Sequence, residues 1–387
     1  MLTGSSDQLQ DLVDGISRLA SAPATLEDRD FNLVAFAAHP DGMDIVRRRS
    51  ILQRRSSPEV RAWFEGFGIA HSERPVRTPA DPGSGVVPRV CLPARWNGVT
   101  YGYVWLLDSD GGLDDALLNA AMHEASRAGS LLAQQARVRQ RMEERLQNLL
   151  SAEPAVAEDA AEGISALGLV ERDRRVTVVV LEALRAADWR SVSLNMWRLP
   201  RSVLAAAEAD HISLLVPEPH SAADIARHAL ELCTEHLGGD ARDGVVVGIG
   251  SSRGDLAAAH ASWREARLAV NVARTVPTFR PTAAWAELGI YRLLACGPRR
   301  ALRDAVVDTA VRRLLDDPDL LRTAHAYLDH AGSPQQTAAT LSIHRQTLYH
   351  RLAKIERVTG LNLADGRDRL RLHLGISLAP LLTEGIS

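Results

Sequence analysis

A chain of 387 residues is too long for one ordinary hydrophobic core, and its length predicts two to four domains. The formal net charge is −3, which excludes a protein that is basic along its whole length, so any nucleic-acid surface must be local. The 3 isolated cysteines exclude a disulfide framework, and the lack of a secretory signal and of about 20 consecutive apolar residues predicts a soluble, cytoplasmic protein.

The first third of the chain alternates helical and extended patterns. The predicted elements are an amphipathic helix, a buried strand, a helical stretch, a mobile loop rich in Pro and Gly, and two further strands: residues 8–20, Phe31–His39, 43–68, Pro75–Pro88, Val86–Pro93 and Val99–Leu107. A turn at His39–Gly42 follows the first strand. Asn97-Gly98 between the last two strands is a strong hairpin signal.

This order of elements resembles a GAF or PAS-type sensor domain, which implies a small ligand held between the sheet and its helices. Strand periodicity places Val99, Tyr101, Tyr103, Trp105 and Leu107 on one face. The candidate effector pocket is aromatic: Trp63, Phe67, Tyr101, Tyr103 and Trp105. The alternative is that these rings belong to the core. The isolated His71 and Cys91 indicate no haem or metal site.

A long helix is predicted from Asp114 to about Ser151. Side chains near alternating 4-and-3 spacing predict a weak coiled-coil seam: Leu117, Ala121, Ala128, Leu131, Gln135, Val138, Met142 and Leu149. Such a seam would join two copies of the chain. The alternative is a helix that caps the sheet of its own domain.

The middle of the chain begins with a predicted Pro/Ala/acidic linker at Glu153–Glu162. Mixed strands and helices follow: Val176–Leu181, Ser193–Leu199, His211–Val216, Ala222–His236, Val245–Gly250 and Asp255–Arg274. The pattern Gly248-x-Gly250 with Gly254 is a weak nucleotide-binding signal. A strand-to-helix turn capped by Asp255 explains it more simply.

The C-terminal part is predicted to be helical after an irregular segment at Pro277–Pro298. Its helices cover Arg299–Leu315, Asp319–His330, two short helices within Gln335–Gly360, and Arg367–Leu382. In the second short helix, Leu348, Leu352 and Ile355 form an inward stripe. The remaining polar side chains are candidates for DNA contact: His344, Arg345, Gln346, Thr347, Tyr349, His350, Arg351 and Lys354. The alternative is a surface hairpin with solvated charges.

From Pro334 to Ser387 the chain carries 7 basic residues against 4 acidic ones, a local excess of positive charge. The run TAATLSIHRQTLYHRLAKIERVTGLNL resembles the C-terminal helix-turn-helix of the PucR/CdaR family of bacterial transcriptional regulators. The matching residues are Thr337, Ala338, Leu341, His344, Arg345, Thr347, Leu348, Tyr349, Arg351, Leu352, Ile355, Thr359, Gly360 and Leu361.

The resemblance implies a degenerate GGDEF-like middle domain, whose most recognisable part is Gly248–Val270. Active diguanylate cyclases carry a GG[DE]EF hairpin that holds phosphate and metal. Residues 206–210 of this chain read Ala-Ala-Glu-Ala-Asp instead, so we predict no enzymatic activity and no cofactor.

The predicted architecture is multidomain α+β. Its parts are a GAF/PAS-like α/β sensor, a long linking helix, a degenerate GGDEF-like α/β domain, a helical connector and an all-α helix-turn-helix domain: residues 1–113, 114–152, 163–276, 277–317 and 318–387. The predicted function is one-component transcriptional regulation by a homodimer on double-stranded DNA, controlled by a small effector or partner. The alternatives are a nucleotide-sensing or signalling protein and a protein–protein interaction scaffold.

Overall fold

The computed structural model describes residues 2–37, 45–53, 56–81, 83, 85–185, 189, 196, 198–200, 202–237 and 244–383. The chain forms two compact units, residues 1–144 and 145–387, and each is considered by itself. Within the described ranges, no helix combines the length and apolarity needed to cross a bilayer.

The N-terminal unit is built on one five-stranded antiparallel sheet. Its elements are α1 (Leu2–Ala20), β1 (Ala24–Asp28), β2 (Leu33–Phe36), α2 (Ile45–Gln53), α3 (Pro58–Glu65), β3 (Val76–Thr78), β4 (Arg89–Trp96), β5 (Val99–Leu107) and the first part of α4 (Asp115–Leu149). The strand order is β2-β1-β5-β4-β3. Asn97 and Gly98 have φ of 48° and 81°, the positive values of a type I′ turn, which confirms the predicted hairpin.

The two faces of this sheet bury different side chains, because successive strand residues point to opposite sides. Val104 and Leu106 of β5 pack with apolar residues of α1 and α4. Tyr103 and Trp105 point the other way and join an aromatic cluster with Phe64 of α3. The alternating pattern therefore determines which helix covers each face.

Two sequence expectations for this unit are wrong. The predicted loop Pro75–Pro88 contains β3, which pairs with β4. Tyr101 does not share the face of Tyr103 and Trp105. The register of β4 and β5 shifts between Ala94 and Arg95, leaving Tyr101 as an extra residue that packs on the α1/α4 side.

The long helix α4 is confirmed, but its first half packs on the sheet of its own unit. Ala121 and Ala128, two members of the predicted seam, lie in the core with Leu118, Ala125 and Leu132. These two positions are therefore not available to a partner helix. Leu149 is likewise buried, in the core of the second unit. The other five seam positions are partly buried: Leu117 and Leu131, which also pack against the core of their own unit, and Gln135, Val138 and Met142.

The second unit begins with the end of α4 and contains a mixed five-stranded sheet. Its first elements are α5 (Pro154–Ala166), β6 (Val176–Ala183), β7 (Leu204–Ala207), β8 (His211–Pro217), α6 (Ala222–Leu237), β9 (Val245–Ile249), α7 (Ala259–Thr275) and β10 (Thr282–Ala284). The strand order is β10-β9-β6-β8-β7, and only the β10–β9 pairing is parallel among the described strands. One face packs on α5 and α7, the other on α6.

The predicted linker Glu153–Glu162 is instead part of α5. Pro154 occupies its first turn, and Ala157, Ala160 and Ile164 are buried against the sheet. The sequence did not predict β7 or β10, which are short and rich in alanine. Most of the predicted strand Ser193–Leu199 and the turn His39–Gly42 lie outside the described residues.

The C-terminal part of this unit is helical. Its helices are α8 (Arg299–Val306), α9 (Thr309–Leu315), α10 (Pro318–Asp329), α11 (Pro334–Thr340), α12 (Arg345–Thr359) and α13 (Gly366–Thr383). The single helix predicted over Arg299–Leu315 is divided, because the Asp308 side chain caps α9 by accepting hydrogen bonds from the amides of Ala310 (2.8 Å) and Val311 (3.0 Å). The predicted irregular segment Pro277–Pro298 contains β10 and short 3₁₀ segments.

Gly129 marks the closest approach of α4 to the sheet. A Cβ atom there would lie 2.6 Å from the backbone nitrogen and oxygen of Arg95. A helical Gly→Ala change normally stabilises by about 1 kcal/mol. We expect Gly129→Ala to destabilise the N-terminal unit by about 1–3 kcal/mol, because the backbones must separate.

The measurement is chemical unfolding followed by circular dichroism. Gly15→Ala in α1 is the matched control, since a Cβ there meets nothing within 4 Å. It should stabilise by about 0.5–1 kcal/mol. Equal effects of the two substitutions would contradict the close packing of α4 on β4.

Candidate nucleic-acid interface

A tight turn joins α11 to α12. Ser333 caps α11 by accepting a hydrogen bond from the Gln336 amide, and Pro334 follows at the first helical position. In the turn, Ser342 has a φ of 53° and the Ile343 amide donates to the Ala338 carbonyl at 3.0 Å. This is a left-handed helix ending of the Schellman type. It places two short helices at a fixed angle.

Residues within His344–Leu361 determine where α12 begins and ends. His344 is the N-cap, and its Nδ1 accepts a hydrogen bond from the Gln346 amide at 3.3 Å. At the other end, Gly360 is left-handed with a φ of 72°. Thr359 Oγ1 donates to the Ile355 carbonyl (2.7 Å) and accepts from the Leu361 amide (3.2 Å). The order Thr-Gly-Leu thus terminates the helix.

The buried stripe of α12 fixes which side chains face outward. Leu348, Leu352, Ile355 and Thr359 are buried with spacing 4, 3, 4. The same spacing shifted by two residues, about 200° around a helix, gives the opposite face. That face is exposed and comprises Gln346, His350, Ala353 and Arg357, here called the outward row. Arg357 is not among the contact residues predicted from the sequence, although this spacing identifies it.

The other predicted contact residues lie beside the outward row. Arg345, Thr347 and Tyr349 are exposed on its flanks, and Tyr349 is 57% accessible. Arg351 does not face outward as expected. Its Nη1 donates to Thr323 Oγ1 of α10 at 3.2 Å, and its side chain is only 22% exposed.

Lys354 also contacts α10. Its Nζ lies 3.1 Å from Asp317 Oδ2, and the Leu320 amide together with Lys354 holds the pKa of Asp317 below its ordinary value. Exposed pairs of this kind contribute little stability and exchange partners easily. Arg351 thus anchors α12, whereas Lys354 keeps an exposed charge beside the outward row.

Comparison with known proteins agrees with this geometry. Residues 320–378 match the model of the PucR C-terminal helix-turn-helix domain, and residues 151–272 match that of the GGDEF-like domain. The chain is a DNA-binding transcriptional regulator with a PucR-type helix-turn-helix domain, and it is similar to regulators of the PucR/CdaR family. The predicted helix-turn-helix is thereby confirmed.

Two curated relatives match this chain over most of their own length. The DNA-binding transcriptional activator AdeR of Bacillus subtilis is 22% identical over 97% of this chain and 93% of its own length. The proline-responsive transcriptional activator PutR of the same organism is 24% identical over 95% of both chains. The carbohydrate diacid regulator of Escherichia coli is 40% identical over 17% of each chain.

The GGDEF-like domain of this regulator is degenerate at its hairpin. The hairpin lies between β7 and β8, where Ala207 pairs with Ile212. The Asp210 carboxylate in this hairpin contacts His211 Nδ1 at 2.7 Å and Arg267 Nη2 at 3.1 Å. These contacts hold the pKa of Asp210 below its ordinary value despite partial burial, which acts in the opposite direction.

Gly248 in β9 and Gly250 directly after this strand allow α7 to pack closely on the sheet. A Cβ at Gly248 would lie 2.0 Å from the Ala266 carbonyl oxygen, and one at Gly250 would lie 2.1 Å from that of Ser262. The absence of a side chain at these two positions lets the backbone of α7 lie directly against the sheet. Asp255 caps the following turn by accepting from the Ala257 amide at 2.9 Å, as predicted. A strand-to-helix turn therefore accounts for the Gly248-x-Gly250 pattern.

The predicted aromatic effector pocket is not brought together as one surface. Tyr103 and Trp105 are each 3% exposed. The ring centroids of Trp105 and Phe64 lie 4.2 Å apart. Trp63 is half-buried and stacks edge-on with Phe67, which is 37% exposed. Tyr101 lies on the other face of the sheet. The rings mainly form core.

A polar group that the sequence analysis missed lies beside this core. Glu27 is buried, and its carboxylate oxygens accept hydrogen bonds from Ser56 Oγ and Trp105 Nε1, both at 2.9 Å. Burial raises the pKa of Glu27 to about 7, although both hydrogen bonds and Arg89 act to lower it. Arg47, Ser50 and Arg89 line the adjoining space of about 10 Å³, room for one water molecule.

This carboxyl group should make the N-terminal unit sensitive to pH. Below about pH 4.5 Glu27 is protonated in both the folded and the unfolded chain, and its stabilising contribution is complete. As the pH rises, the unfolded chain ionises first, so the contribution is lost between about pH 4.5 and 7. The total loss is on the order of 3 kcal/mol.

Glu27→Gln should remove this loss, because the amide stays neutral. The measurement is the free energy of unfolding of the N-terminal unit between pH 5 and 8, compared with the unchanged chain and with Glu73→Gln, an exposed glutamate of the same unit. Parallel pH profiles for all three proteins would show that Glu27 is already ionised in the folded state.

Proposed function

We propose that this chain is a one-component regulator that binds operator DNA as a homodimer through the outward row of α12. The observation that carries the proposal is the exposed face of Gln346, His350, Ala353 and Arg357, which lies opposite the buried stripe of α12. A helix in this setting presents its first turns to base edges and its later basic residues to phosphates. The relatives named as activators support activation as the sign of regulation.

Dimerisation supplies the second recognition helix. The partly buried positions of α4 that remain for a seam are Leu117, Leu131, Gln135, Val138 and Met142. A single helix-turn-helix reads few base pairs, so two copies should occupy half-sites about 34 Å apart or a multiple of that distance. This arrangement also favours a cytoplasmic location, where the operator is found.

We place the effector site in the N-terminal unit. Its order of helices, strands and hairpin supports the GAF/PAS-like assignment. A buried ionisable carboxyl such as Glu27, beside guanidinium and hydroxyl groups, costs stability and is typical of functional sites. Because the adjoining space of about 10 Å³ holds only one water molecule, this part of the unit would have to open to admit an effector. The printed name of PutR, which describes a response to proline, supports a small-molecule effector of that general size.

We further propose that the middle domain is a scaffold without catalytic activity. The neutralised acids of its hairpin and the tight packing at Gly248 and Gly250 support this. The alternative is nucleotide sensing. Incubation of the full chain with GTP and Mg²⁺ separates the two, since turnover or saturable binding would contradict the scaffold.

Removal of residues 334–387 tests the DNA-binding proposal directly. The shortened chain should lose sequence-specific binding in a gel shift with genomic operator fragments, while the intact chain binds with strong salt dependence. Undiminished specific binding after the deletion would contradict the proposal. Weak salt dependence of the intact chain would favour a protein partner instead.

Single substitutions should distinguish residues that contact bases from residues that contact phosphates. Arg345→Ala or Gln346→Ala should weaken operator binding by about 1–3 kcal/mol and relax the preference at one base position. Arg357→Ala or Lys354→Ala should weaken binding to all sequences and reduce the salt slope by about 1. Fluorescence anisotropy with operator and scrambled duplexes at several salt concentrations gives both quantities.

Arg264→Ala is the matched control, because Arg264 is an exposed arginine of the middle domain. It should leave affinity, specificity and salt slope unchanged. Arg351→Ala should lower the thermal stability of the helical part, since it removes the contact with Thr323. A loss of specificity from Arg264→Ala equal to that from Gln346→Ala would contradict the assignment of the outward row.

A further inference from the structure

We propose that His325, Asp329 and His373 form a binding site for a transition-metal dication of the Zn²⁺ type. His325 and Asp329 are one turn apart on α10, so both side chains lie on the same face of that helix. His373 reaches them from α13. The site therefore joins two helices that are distant in sequence.

The donor atoms are already close to coordination distances. His373 Nε2 lies 3.0 Å from Asp329 Oδ1, and His325 Nδ1 lies 3.5 Å from Asp329 Oδ2. One donor atom from each of the three residues lies within 4.8 Å of the others. With metal–ligand bonds of about 2.0–2.2 Å, ligands of a tetrahedral zinc ion stand about 3.4 Å apart. Small side-chain rotations would complete this geometry.

The donor set suits such an ion. Two imidazole nitrogens and one carboxylate are a common set for zinc and related metals, and leave a position for water. His325 and Asp329 also line an open cleft of about 470 Å³ between α10 and α11, bordered by Arg322, Thr340 and Leu341. The open position can face this cleft.

The charge around Asp329 favours a cation. Among the residues that the structure describes, its ion pairs are with His325 and His373, and no arginine or lysine pairs with it. A bound dication would therefore meet a carboxylate that no arginine or lysine among the described residues compensates. The cluster of Glu208, Asp210 and His211 differs, because Arg267 pairs with Asp210 there.

A bound metal would stabilise the helical part. The helix α10 holds α12 through Thr323 and Asp317, which contact Arg351 and Lys354. Linking α10 to α13 through a metal adds a cross-connection to the core that supports the recognition helix. The thermal unfolding midpoint of the full chain should therefore rise when the metal is added.

The test uses the full chain after treatment with EDTA and dialysis. Isothermal titration with ZnCl₂ should show one site per chain that is weakened about tenfold or more in His325→Ala and in His373→Ala, and the rise in midpoint should disappear. Co²⁺ absorbance of the same proteins reports whether nitrogen and oxygen ligands surround the metal.

The controls separate this site from the other histidines and the cysteines of the chain. His330→Ala removes a neighbouring histidine of the same helix end, whose Nε2 instead contacts Thr340 Oγ1 at 2.7 Å, and should bind Zn²⁺ as the unchanged chain does. Circular dichroism without metal verifies that each variant is folded. Equal Zn²⁺ affinity in the unchanged chain and in a folded His325→Ala/His373→Ala variant would overturn the proposal.

Discussion

The rotation of α12 about its own axis is the constraint on which DNA recognition depends. Burial of Leu348, Leu352 and Ile355 fixes that rotation, because each of these side chains gains roughly 1.5–3 kcal/mol by leaving water. Since a helix is rigid, fixing one face also fixes the opposite one. The buried leucines and Ile355 therefore determine the direction in which Gln346 and Arg357 point.

The polar contacts of α12 act in a different way. Arg351 reaches Thr323 from a half-buried position, so it selects one orientation of α12 on α10. Lys354 meets Asp317 at the surface, where screening makes the pair weak. Arg351 thus takes part in the packing of α12 on α10, whereas Lys354 makes an exposed ion pair that we propose it exchanges for a phosphate. Their charge alone does not distinguish these roles; their exposure does.

Sequence reasoning was most successful where structure is local. The hairpin at Asn97-Gly98, the helices around Ser342 and the ending at Gly360 depend on residues within a few positions of each other. Predictions were wrong where contacts between residues far apart in the sequence determine the local structure. The shift that turns Tyr101 to the other face depends on β4, and α5 is a helix because Ile164 and small alanines find a sheet to pack on. Composition alone suggested a linker.

The two clusters of histidine and acid show the same limit at the level of sites. Each cluster combines one or two imidazoles with at least one carboxylate, and neither was predicted from the sequence. Around His211, Arg267 from α7 pairs with Asp210, so an arginine already compensates this carboxylate beside the degenerate hairpin. Around Asp329, two histidines from different helices converge without a competing arginine among the described residues. The two clusters differ in the side chains that the fold brings next to the aspartate. Arg267 beside Asp210 disfavours a cation, whereas the two histidines beside Asp329 favour one.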